Sequence, residues 1–225
     1  MPQQSQRLKK AKRLKKSSQK WLLRQINDPF VERAKLEGWR SRAAFKIIEI
    51  DQKFKIFKKG KIVVDLGAAP GGWSQYAVTK VGEGNVVALD LLAIDAIAGV
   101  EFFQGDFLEE LAPQKISEFL QRIPHNKFGR CDIVLSDMAA NSTGDHNTDH
   151  IRIIDLLEHS LDLAQKILNQ NGCFVGKIFQ GGSSNEILKK LRQSFSDVKY
   201  FKPESSRKDS SETYLVARLF KTKLL

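Results

Sequence analysis

Hydrophobic positions along the chain switch between two periods. From Lys61 onward, short apolar runs (IVV at 62–64, VVAL at 86–89, IVL at 133–135, CFV at 173–175) alternate with segments whose apolar residues recur every three or four positions. Such runs, separated by amphipathic stretches of helical length, make a mostly parallel sheet with helices on both faces. The pattern predicts strand 61–66, helix 73–80, strands 85–90 and 100–104, helix 115–122 and strand 131–136. It continues with helix 149–169, strand 172–178, helix 186–194, and closing strands 197–202 and 212–220.

Boundary residues refine this reading. Thr148 is placed to cap the long helix, Gly172 lies just past its end, and Ile151, Ile154, Leu157, Leu161, Ala164 and Leu168 mark its buried stripe. Ser183 and Glu186 have capping-box spacing. Upstream, residues 21–36 read as helical around the Asp28-Pro29 interruption. Ser41 is placed to cap a helix running from Arg42 to Phe54, with Lys46 beside its apolar face of Ala44, Ile47, Ile48 and Ile50. No internal repeat is visible, and the expectation is one domain over residues 21–225.

Composition adds a tail. Residues 1–20 carry eight basic side chains and no acid, whereas the other 205 residues carry 29 basic against 26 acidic. A run of like charge in a polar segment is expected to be disordered when free and to suit a polyanion such as RNA. No secretory hydrophobic core follows it, and Asp90 and Asp95 interrupt the apolar region of residues 86–100. The expectation is therefore a cytoplasmic protein without a membrane segment, and a monomer. Cys131 and Cys173 are too few for a cysteine-rich zinc site and read as reduced, buried thiols at strand starts.

The chemistry centres on Lys61 to Tyr76, KIVVDLGAAPGGWSQY, a strand entering a helix through a glycine-rich turn. Such a turn lets backbone N–H groups approach a nucleotide. Its spacing, Gly67-Ala-Ala-Pro-Gly71-Gly72, departs from the dinucleotide G-x-G-x-x-G, which disfavours a nicotinamide oxidoreductase and leaves S-adenosylmethionine as the better ligand. Asp65 opens the turn, Asp90 ends the second strand where a ribose diol would sit, and Asp106 follows the third where an adenine edge would be met.

With QGDF, LSDMAAN, KIFQG and SSRKDSSETY added to that stretch, the chain resembles the FtsJ family of ribosomal RNA 2′-O-ribose methyltransferases from about Trp21 almost to its end. Within the family it is most similar to the bacterial heat-shock branch. The resemblance implies a Rossmann-like methyltransferase fold, seven strands with an antiparallel last one, S-adenosylmethionine as cofactor, and a uridine of 23S rRNA in the large ribosomal subunit as acceptor. It also implies a catalytic tetrad of Lys46, Asp137, Lys177 and Glu212, and cofactor contacts at Gly71, Trp73, Asp90, Asp106 and Asp137. Ala140 stands where the family commonly has proline.

Residue chemistry sets expectations for these positions. Sheet logic puts Gly67, Asp137, Lys177 and, if the last strand is antiparallel, Glu212 at one edge; Lys46 enters through the resemblance alone. Lys177 is the expected proton acceptor, with burial and Lys46 favouring its neutral form and Asp137 and Glu212 opposing it. Arg40, Arg42, Arg207 and Lys208 are expected to hold RNA phosphate. Asp145, His146, Asp149 and His150 read as a solvated polar loop, and no metal is expected. The competing class, a non-catalytic RNA-binding protein on this fold, has no use for a complete tetrad.

Overall fold

The computed structural model describes residues 16–124, 126–139, 143–179, 184–207 and 210–222. The expectations for the tail before Lys16, for Ala140, for the Ser183 cap and for Lys208 lie outside these residues. Three helices come first: α1 (Lys16–Ile26), α2 (Pro29–Leu36) and α3 (Ala44–Phe54). Next are β1 (Val63–Leu66), α4 (Gly72–Val81), β2 (Val86–Asp90), β3 (Val100–Gln104), α5 (Ala112–Gln121) and β4 (Cys131–Ser136). The chain ends with α6 (His146–Ile167), β5 (Leu168–Phe179), α7 (Ser184–Ser194), β6 (Phe195–Phe201) and β7 (Glu212–Phe220). No helix among the described residues is long and apolar enough to cross a membrane.

The strands form one seven-stranded sheet in the order β3-β2-β1-β4-β5-β7-β6, and only β7 runs antiparallel to its neighbours. Two cores follow from the period of two along each strand. Val64, Leu66, Val134, Phe174 and Leu215 pack under α5, α6 and α7. Val63, Ile133, Leu135, Val175, Tyr214 and Val216 pack under α3 and α4. The order reverses between β1 and β4, which opens a crevice where their carboxyl ends diverge.

Several boundaries differ from the sequence reading. Residues 16–20, assigned to the tail, open α1. Helix α3 starts at Ala44 with no side-chain cap, and the hydroxyl of Ser41 is buried without a partner. Asp145, rather than Thr148, caps α6: its carboxylate accepts the Thr148 N–H at 2.7 Å, a carboxylate being an equal or better acceptor at that position. The cap thus lies three residues earlier than expected, and the buried stripe also differs: Ile153 is buried and Ile151 is 66% exposed. Strand β5 begins at Leu168, before Gly172, so Cys173 lies inside a strand. Both thiols are buried and unpaired, and burial pushes that of Cys173 up to about 12.

Candidate active site

Side-chain parity assembles the tetrad. Ile133 and Leu135 face α3 and α4, so the next odd position, Asp137, continues toward that layer just beyond β4. On β5 and β7 the same face carries Lys177, Glu212 and Tyr214, with Lys177 opposite Tyr214 and Phe179 opposite Glu212 in the antiparallel register. Helix α3 crosses this face and brings in Lys46, the one member that sheet logic left unplaced.

Asp137 is the hub. Lys177 Nζ lies 3.1 Å from its Oδ1 and donates to its backbone carbonyl at 2.7 Å. Lys46 Nζ approaches its Oδ2 at 3.6 Å and Glu212 Oε1 at 2.8 Å. The Tyr214 hydroxyl donates to Asp137 Oδ1 at 2.7 Å, and Ser206 Oγ donates to Glu212 Oε1 at 3.1 Å. Burial works against charge on Asp137, but Lys177 and Lys46 outweigh it and hold the carboxyl below its ordinary value. Lys46 is also penalised by burial, yet Asp137 and Glu212 raise its pKa, so it stays an ammonium. The Tyr214 phenol is pushed well up by burial and by Asp137, which keeps it a donor. Sequence reasoning missed Tyr214, although its place two residues after Glu212 on a strand was the signal for a shared face.

Beside the tetrad lies a cavity of about 640 Å³ at the carboxyl ends of β1 to β4, walled by Gly67, Ala69, Leu89–Leu92, Gly105–Leu108 and Asp137–Ala139, and by Arg152, Asp155 and Leu156 of α6. Asp90 and Asp106 are both on its wall. Asp90 also organises the turn, its Oδ2 accepting the Ala69 N–H at 2.8 Å and its Oδ1 the Leu92 N–H at 2.8 Å. Four carboxylates, Asp90, Asp106, Asp137 and Asp155, face the cavity against one guanidinium, Arg152. Gly67, at φ 71°, must lack a side chain, because a Cβ there would come within 2.2 Å of Met138 Cγ.

Gly71 and Trp73, implied as cofactor contacts by the resemblance, belong to the turn beside the cavity and are not among the residues that wall it, and Asp65, which opens the turn, lies beneath it. Asp65 is 1% exposed beneath the turn and accepts the Ser74 hydroxyl at 2.5 Å. Trp73 is 3% exposed, with its indole N–H donating to the Ala43 carbonyl at 2.8 Å. Gly71, at φ 101°, borders Ile97 and Arg40. Arg40 and Arg42, expected to hold RNA phosphate, are engaged within the protein. Arg40 donates to the carbonyls of Asp95 at 2.7 Å and Ala96 at 2.6 Å; Arg42 pairs with Asp28 at 3.0 Å and donates to the Ser205 carbonyl. In the polar loop, Asp149 Oδ1 accepts from Thr143, and among the described residues no three metal-ligating side chains cluster.

Comparison with known proteins follows the same lines. The family model for FtsJ-like methyltransferase matches residues 39–220. A protein of Acidiphilium cryptum named ribosomal RNA large subunit methyltransferase E is 53% identical over 211 residues, covering 94% of this chain and 90% of its own length. A protein of Rickettsia bellii with the same name is 51% identical over 217 residues, covering 94% and 92%. A crystal structure from Plasmodium falciparum, described as a ribosomal RNA methyltransferase, superposes with a TM-score of 0.69 at 30% identity, covering 81% of this chain and 98% of that one.

Proposed function

Because the chain belongs to the FtsJ-like methyltransferase family, we propose that it methylates the 2′-hydroxyl of a uridine ribose in 23S rRNA, using S-adenosylmethionine. The name shared by its relatives supports the class of acceptor, and the geometry supports the chemistry. Asp137 carries the reading: one carboxylate stands on the wall of the cavity and at the centre of the tetrad, so a donor in the cavity and an acceptor at the lysines meet at one residue.

The residues present fit the cofactor. A cavity with four carboxylates and one guanidinium favours a ligand bearing cationic sulfonium and ammonium groups and disfavours a pyrophosphate. Asp90 would hold the ribose hydroxyls and Asp106 the adenine edge, and the turn at Gly67 keeps the backbone close. When bound, the cofactor supplies an electrophilic methyl group on sulfur.

A 2′-hydroxyl is a weak nucleophile until its proton is removed. Lys177 would take that proton as the hydroxyl oxygen accepts the methyl group that the bound cofactor would supply, the demethylated sulfur compound leaving as the second product. Lys177 Nζ meets the backbone carbonyl and the carboxylate of Asp137 with two of its positions, which leaves one for the substrate hydroxyl. Lys46, held as a cation between Glu212 and Asp137, positions the ribose, and Tyr214 fixes the carboxylate. The proposal places the protein in the cytoplasm, as a monomer on the large subunit, with residues 1–20 as an RNA-contacting tail. Incubation with methyl-labelled cofactor and large subunits or free rRNA, followed by alkaline hydrolysis, tests it. Label in an alkali-resistant dinucleotide is expected, and label on a base or no transfer refutes it.

A further inference from the structure

A second cavity, of about 570 Å³, lies where the α1–α2 junction meets the loop before β7. Its electrostatics are opposite to those of the first. Three arginines, Arg24, Arg42 and Arg207, face two carboxylates, Asp28 and Glu204. Asp28 is the organiser: its side chain is 7% exposed, Oδ1 accepts the Phe30 N–H at 3.0 Å to cap α2, and Oδ2 lies 3.0 Å from Arg42 and 3.3 Å from Arg207. One carboxylate thus orients two guanidiniums and leaves the trio with a net positive charge. The buried Nε of Arg42 has no acceptor at all. Pro29 and Phe30 add an apolar wall.

This groove is joined to the tetrad. Ser206 lines it, and its hydroxyl donates to Glu212 Oε1, the same oxygen that receives Lys46. An RNA strand presenting its ribose to Lys177 and Lys46 must continue beyond them. The acidic cavity repels a phosphate, whereas guanidinium forks match its geometry and an aromatic wall suits an unstacked base.

We propose that the groove holds the nucleotide adjacent to the methylated ribose, its phosphate on Arg207 and Arg24 and its base against Phe30. The inference rests on the 2′-O-methylation reading above. Methylation kinetics of unmodified large subunits test it with the Arg24→Ala/Arg207→Ala double variant. The expected result is a KM for the subunit raised about tenfold, kcat and cofactor affinity within about twofold of the parent protein, and a salt dependence of binding to an rRNA fragment shallower by about one phosphate contact. Asp28→Asn keeps an acceptor for the α2 cap while removing negative charge, and is expected to tighten rRNA binding about threefold. Arg24→Glu alone, on an exposed turn of α1, carries the same test if the double variant does not fold. A double variant that binds cofactor normally and shows an unchanged KM overturns the groove assignment. A parent protein that methylates no RNA overturns the function instead.

Discussion

Replacing Asp65 with asparagine is expected to make the fold less sensitive to rising pH. Burial is the largest influence on this carboxyl; the Ser74 hydrogen bond works against it, Asp137 and Asp90 add to it, and the result is a pKa raised from 3.8 to about 7. The sign follows from proton counting. Between about pH 4 and 7 the folded protein keeps a proton that the unfolded chain has released, so this group's contribution to stability falls as pH rises through that window. With a shift of about three units at ~1.4 kcal/mol each, the loss on the alkaline side is on the order of 4 kcal/mol. Asparagine has nearly the same shape, accepts the Ser74 hydroxyl through its carbonyl oxygen, and does not ionise. Urea unfolding of both proteins from pH 5 to 8.5 measures the effect, and taking the difference between them cancels the titrations they share. The variant is expected to gain on the parent by about 3 kcal/mol between pH 5 and 7 and to level off above about pH 8. A difference that stays constant across the range would show that Asp65 is ionised within the fold, and the desolvation reasoning would then be wrong.

Three further outcomes follow from the site. Lys177→Ala is expected to lower kcat by about 10² to 10⁴ while cofactor affinity stays within about twofold; near-normal turnover contradicts its role as proton acceptor. Tyr214→Phe removes a donor from an ionised carboxylate, a loss of about 1.5–3 kcal/mol, and is expected to cut single-turnover methylation at least about tenfold; an unchanged rate means that the lysines alone fix Asp137. Gly67→Ala combines a left-handed backbone with a 2.2 Å approach to Met138, so calorimetry is expected to show cofactor binding weakened at least about tenfold, and undiminished binding counts against a ligand seated on that turn.

The alternation of strands and helices was legible because runs such as Ile62 to Val64 and Val86 to Leu89 cannot serve a half-exposed sheet. The rule that ligands sit beyond the carboxyl ends of the strands placed Asp137, Lys177 and, with an antiparallel last strand, Glu212 at one edge. Lys46 was beyond that logic, since its position depends on how α3 crosses the sheet, which no local pattern encodes. Burial was the other gap. Asp65, Asp90 and Asp106 look alike at strand ends, but Asp65 lies inside β1 and points under α4, while Asp90 ends β2, Asp106 stands past β3, and both reach the cavity. The internal partners of Arg40 and Arg42 were not legible because their acceptors, the carbonyls of Asp95, Ala96 and Ser205, come from distant loops.

Gly71 bears on how glycine signatures are interpreted. A Cβ at this residue would meet Ile97 Cδ1 at 2.7 Å and Arg40 Cδ at 3.2 Å, and Arg40 is the staple that closes the loop after β2. The bareness of this position therefore serves the closure of the scaffold. A descendant that had lost catalysis but still needed that loop closed would keep the same glycine. Here the letter G71 testifies to architecture whatever it does for a ligand, and evidence of activity is sought at Asp137 and the two lysines it joins.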